Sequence, residues 1–130
     1  MAVLSDYAEK LILDWLLTTG SATRPTAWYV ALYTSAPNDA GGGTEVSGFG
    51  YSRQAVTFGA GTSPGGTSAN TNILSFTASG GTFGVVTHLA ILTASSGGNF
   101  IASGPLTASK EVLDGDSLAF DVGSLILTLA

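Results

Sequence analysis

Apolar residues near the start recur at helical spacing. Leu4, Ala8, Leu11, Ile12, Trp15 and Leu16 fall on one face, and Leu13 and Leu17 widen it. The spacing predicts a helix over 6–19, capped by Asp6 with Glu9 three residues on, and stopped at Gly20. So apolar a helix needs cover, either from a sheet of its own domain or from a neighbouring subunit.

From residue 28 onward the pattern changes to short β-rich runs separated by Gly, Ser, Asn and Asp. Strands are expected near 28–34, 51–58, 72–77, 84–93, 99–103, 109–113, 117–121 and 124–129. Turn signals lie at 39–43, 59–66, 80–81, 97–99 and 114–116. The Gly-rich stretches 38–50 and 59–71 are expected to be long surface loops. No helical crossover separates the strands, so a parallel α/β fold is disfavoured. The expected architecture is one domain over 1–130: an N-terminal helix and an antiparallel β-sandwich of jelly-roll type with about eight strands.

Within strand 28–34, Trp28, Val30 and Leu32 alternate with Tyr29, Ala31 and Tyr33. One of these faces is core, which leaves the other as an aromatic face for a partner or for sandwich packing. The candidate interface residues are therefore Trp15, Leu16, Trp28, Tyr29 and Tyr33. Arg53 joins them as one of only four cations, expected to pair with a carboxylate inside the subunit or across a contact.

Composition narrows the chemistry. In 130 residues there are 4 basic and 9 acidic side chains, a net charge of −5, and a charged fraction of 10%, against about 25% in an ordinary soluble domain. Four scattered cations cannot neutralise a run of phosphates, so no nucleic-acid partner is expected. Zero Cys and one His exclude a disulfide framework, thiolate metal sites and a thiol nucleophile. The start has no basic region of the signal-peptide kind, and the run Leu11–Leu17 is broken by Asp14 and far shorter than a membrane span, so neither a leader nor a membrane partner is expected.

Three motifs match a chemistry formally and fail on context. Gly61-Thr62-Ser63-Pro64-Gly65 fits the G-x-S-x-G pattern, but no helix follows to form a nucleophile elbow. His88 alternates with Val86, Ala90 and Leu92 on a strand, as a structural residue does. Asp114-Gly115-Asp116 begins like a calcium loop, but Leu118 stands where a ligand is needed and no Glu follows, which leaves a tight turn. No catalytic, cofactor or metal site is expected, and the chain is read as a non-enzyme.

A resemblance enters through longer strings. Trp28 to Pro37 is followed by Glu45-Val46-Ser47-Gly48 and by Gly50 to Phe58; later come Gly84 to Ile91, Gly104-Pro105-Leu106-Thr107, and Asp114-Gly115-Asp116 with an apolar final strand. Together these resemble small virion proteins of tailed bacteriophages, labelled as capsid cement or decoration proteins or, in some cases, as tail-fibre proteins. The likeness covers essentially the whole chain, and Glu45 to Phe58 is its most specific part. It implies a structural protein of a phage particle, made in the bacterial host cytoplasm.

Between head and tail, the sequence has neither the repeats nor the elongated low-complexity stretches of a fibre shaft. Its acidity suits the outer capsid surface better than a wall facing packed DNA. The expectation is a decoration protein that bridges copies of the phage major capsid protein, with self-association as a homodimer or homotrimer. A tail, baseplate or fibre component, a glycan- or receptor-binding tip being one form of it, is the alternative.

Overall fold

The structure is a computed structural model that describes residues 3–129, apart from the side chain of Val3. Met1 and Ala2, which belong to the stretch read for a leader, lie outside the described residues. In chain order the elements are β1 (Val3–Leu4), α1 (Asp6–Leu17), β2 (Tyr29–Ser35), β3 (Thr44–Glu45), β4 (Gln54–Ala55) and β5 (Thr67–Ala69). They continue with β6 (Leu74–Thr77), β7 (Gly84–Leu92), β8 (Phe100–Val112), β9 (Ser117–Phe120) and β10 (Ile126–Thr128). No described helix is long and apolar enough to cross a membrane.

The helix differs from expectation at both ends. Ser5, not Asp6, is the cap: its Oγ accepts from the Ala8 N–H at 3.2 Å. No capping box forms: counted from Ser5 the third helical residue is Ala8, which has no carboxylate, and the Asp6 N–H that Glu9 would have to reach donates to the Asp39 carbonyl at 3.2 Å. At the other end Thr18 turns extended and donates its hydroxyl to the Asp14 carbonyl at 2.6 Å. That closes the helix before Gly20 is reached.

The strands form an antiparallel sheet in the order β1-β8-β7-β2-β3, with β4 also on β2, and two separate two-stranded ladders, β5–β10 and β6–β9. The mainly β, antiparallel architecture with one N-terminal helix is as the pattern predicts. The principal core lies between the large sheet, through Val30, Leu32, Val86, Leu89 and Val112, with Val56 beside them next to β4, and the second layer, through Leu74, Phe76, Leu118 and Leu125. Burial of these side chains, each worth about 1.5–3 kcal/mol against exposure, is what holds the layers together.

Several boundaries move for identifiable reasons. The expected strands 99–103 and 109–113 are one strand, β8. Two steps on β7, from Val86 to His88, are matched by five on β8, from Lys110 to Pro105. What reads as a break is a bulge that absorbs Leu106 to Ser109 without ending the ladder. The expected strand 51–58 is reduced to β4 and an isolated bridge between Phe58 and Asn70. Inside the two Gly-rich loops lie β3 and β5, too short to show any alternation.

Asn70 fastens the second layer. Only 1% exposed, it donates from Nδ2 to the carbonyls of Asn72 (2.9 Å) and Asp121 (3.0 Å) and accepts the Leu125 N–H at 2.9 Å on Oδ1. Its backbone also exchanges bonds with Leu125 and Gly123. Asn70→Leu keeps the volume and strands these buried partners, so unfolding in urea should show a loss of about 2–3 kcal/mol.

Candidate assembly surface

The helix is fixed to the body at its start. β1 pairs with β8 at Val3–Ser103 and Leu4–Ala102. Ser5 bonds β8 twice, through its N–H to Ile101 and through its hydroxyl, which donates to the Phe100 carbonyl. The Asp6 N–H reaches the Asp39 carbonyl at 3.2 Å. Between this start and the sheet lies an open cleft of about 400 Å³, with Tyr7, Tyr33, Asp39 and Phe100 among its walls.

The far end of the helix has no such support. Ala8 and Trp15 are seven residues apart and so point the same way, about 10 Å apart along the axis. Ala8 is 5% exposed and Trp15 is 70% exposed. The helix therefore runs out past the edge of the body it lies on. Leu13, Leu16 and Leu17 are 54%, 64% and 73% exposed. The apolar face expected to need cover has it only in the first half.

The remaining candidates lie in or against the body. Trp28 packs against the principal core and Tyr29 is half-buried. Tyr33 is buried in a second cluster with Ala31, Ala90 and Leu92, with Phe100 packed against it. Both faces of β2 are thus covered within the chain over its central residues. The aromatic face expected to stand open is closed at Tyr33, whose hydroxyl is held above the ordinary tyrosine pKa by burial and then by the charge of Glu45.

Arg53 pairs inside the subunit. Its Nε and Nη2 hold both oxygens of Glu45, each at 2.9 Å, while Nη1 donates to the carbonyls of Ala94 (2.9 Å) and Gly97 (2.8 Å) in the β7–β8 turn. Tyr51 donates its hydroxyl to Glu45 Oε2 at 2.7 Å and accepts the Leu32 N–H at 3.1 Å. That N–H falls on the edge of β2 where its partner changes from β4, at Tyr29 and Val30, to β3, at Tyr33. The phenol fills the vacated bonding position. Burial would raise the Glu45 pKa, but the hydrogen bonds from Arg53 and Tyr51 and the guanidinium charge outweigh it and hold the carboxyl below its usual value. Burial, followed by the bond to Glu45, pushes the Tyr51 phenol well up.

Glu45 and Tyr51 were not singled out by pattern, nor were Leu13 and Leu17 as surface. The signal for the first two was their place in one string with Arg53; nothing local marked the overhang. The chemical motifs are absorbed structurally. Asp114 Oδ1 accepts from the Gly80 N–H at 2.9 Å and Asp116 Oδ2 from the Leu113 N–H at 3.1 Å. His88 Nδ1 is 2.8 Å from the Thr87 hydroxyl, and Ser63 lies in an exposed turn ahead of β5. Among the described residues no group of three or more His, Cys, Asp or Glu comes together to hold a metal ion.

A family model described as podophage GP4 fiber I protein gp80 matches residues 3–128. The chain belongs to that family. No curated protein matches it. As a member of the podophage GP4 fiber I protein gp80 family, it is a virion structural protein of a tailed phage. The match runs from β1 through β10 and so takes in the helix, the Glu45–Tyr51–Arg53 network and both layers of the sandwich.

Proposed function

We propose that the protein is a non-catalytic structural module of a fibre on the phage particle. The observation that carries this reading is the whole-chain family match, helix included, to a protein described as a fibre component. The body supports it: the polar side chains that could suggest chemistry are engaged in turns and caps, and the exposed feature that stands out is an apolar helix end suited to a protein contact.

A second reading, a capsid decoration protein on the outer shell that bridges major capsid subunits, is favoured by the body's shape. It is a compact sandwich without the repeats of a shaft, and it carries a net charge of −5. Copy number separates the two. Quantitative mass spectrometry of purified particles is expected to give about six to twenty copies, the range symmetric tail assemblies allow. Hundreds of copies per particle, together with binding of the isolated protein to expanded capsids, would replace the fibre reading with the shell reading.

A further inference from the structure

Four parts of the chain meet at the open cleft of about 400 Å³ beside the start of α1. The first helical turn brings Asp6 and Tyr7, β2 brings Tyr33, the loop ahead of β3 brings Asp39, and the end of the β7–β8 turn brings Asn99 and Phe100. The bond from the Asp6 N–H to the Asp39 carbonyl sets the two acidic residues side by side. Exposed carboxylates alone are ordinary solvated groups. Tyr33 sets this pair apart. It is only 5% exposed, yet among the described residues none bonds its hydroxyl. Every enclosed side-chain nitrogen or oxygen among those residues has a partner. The hydroxyl is therefore not enclosed, and the open space beside Tyr33 is this cleft.

We propose that the cleft binds a primary ammonium group on an alkyl stem, with Asp6, Asp39 and the Tyr33 hydroxyl accepting its N–H donors and the rings of Tyr7 and Phe100 flanking the stem. Charge chooses a cation. Two acidic side chains line the cleft and none of the four basic ones does. Arg53 reaches Gly97, next to the lining residue Gly98, but its fork is already held by Glu45. The helix start, which would favour an anion, is answered within the chain: Ala8 donates to the Ser5 hydroxyl, and the first turn carries Asp6 and Glu9.

The rings choose an organic cation, because aromatic faces attract an ammonium and its stem. A metal ion would find two carboxylates at most, since no group of three or more His, Cys, Asp or Glu comes together among the described residues. The unpartnered hydroxyl chooses a primary amine, because a quaternary one has no N–H to give it. A protein lysine and a free small amine share this chemistry. The site stands for a fibre or a shell protein alike, so its failure would leave the fibre reading intact.

Amide NMR of the isotopically labelled full chain tests it, with n-butylammonium chloride titrated against sodium chloride at equal ionic strength. The expected result is saturable movement of the amides of residues 6–7, 39–41 and 98–100, with a dissociation constant of about 1–10 mM for so small a probe. Asp39→Asn and Tyr33→Phe should each weaken binding about 5-fold. The remaining amide spectrum should match wild type, since neither removed group bonds another part of the fold. If Nα-acetyl-lysine N-methylamide binds tighter than ethanolamine, the source is a protein lysine; the reverse order names a free amine, and either supports the site. Amides that stay still up to about 50 mM overturn the proposal. So does binding that both variants leave unchanged, or tetramethylammonium that binds as well as butylammonium. Calcium chloride or methyl α-glucopyranoside moving the same amides in place of the amine overturns it too.

Discussion

Replacing Arg53 with Met is expected to lower the unfolding free energy by about 3 kcal/mol at pH 7, the low end for breaking a buried pair. The side chains of Arg53 and Glu45 are 10% and 25% exposed, so water can compensate only in part. Glu45 loses two of the hydrogen bonds that keep it ionised, and the carbonyls of Ala94 and Gly97 lose their donor. In a thermal scan this is a fall of roughly 10–15 °C for a domain of this size. Met keeps much of the volume, so the loss reports the network and not a cavity.

The same network makes stability fall on acidification. The Glu45 carboxyl titrates below its unfolded value of 4.5, so near that pH the unfolded chain binds more protons than the folded one. The contribution is whole above that value and is lost as the pH drops through the lowered one. In Glu45→Gln this component is absent, and the stability curve between about pH 5 and 3 should be flatter than that of wild type. Equal slopes in the two proteins would refute the assignment.

Phe76→Ala should cost more, about 4 kcal/mol. Phe76 is among the largest fully enclosed side chains. It lies stacked on Tyr51, with centroids 6.2 Å apart and planes 14° apart, and edge-on to Phe120 at 6.3 Å and 85°. Tyr51 is therefore held by Phe76 at its ring and by Glu45 at its hydroxyl. Combining Phe76→Ala with Arg53→Met should give less than the sum of the single losses, because each loosens the same phenol. Chemical denaturation of the four proteins of this cycle measures the shortfall; strict additivity would mean that the two sides act separately.

Legibility in the sequence followed the range of the interactions. The helix and the long strands β2 and β7 declare themselves through periodicity, because their own side chains decide which way they face. β3, β4 and β5 do not, since two or three residues carry no period and are strands only through a partner far along the chain. The bulge in β8 read as a break because Gly104 and Pro105 are turn residues wherever the register is unknown. Tyr33 shows the limit for surfaces: alternation separates the two faces of a strand but does not reveal that both are covered. Trp15 shows the converse, since helical spacing joins it to Ala8 but does not report where the body ends.

The attachment of α1 also decides how the molecule bears a pull. A load applied at the free end of the helix enters the body mainly by two routes, beside the single bond from the Asp6 N–H to the Asp39 carbonyl. One is the short β1–β8 ladder with the bonds of Ser5, at the sheet's edge. The other is the covalent path through residues 18–28, which carry neither helix nor strand, into β2, flanked on both sides. A few hydrogen bonds peel one at a time, while strands paired along their length resist together. Under tension the edge ladder is expected to open first, so that the helix swings out on the 18–28 tether with the sandwich still closed. On that expectation the helix root would serve as a hinge that yields before the body does.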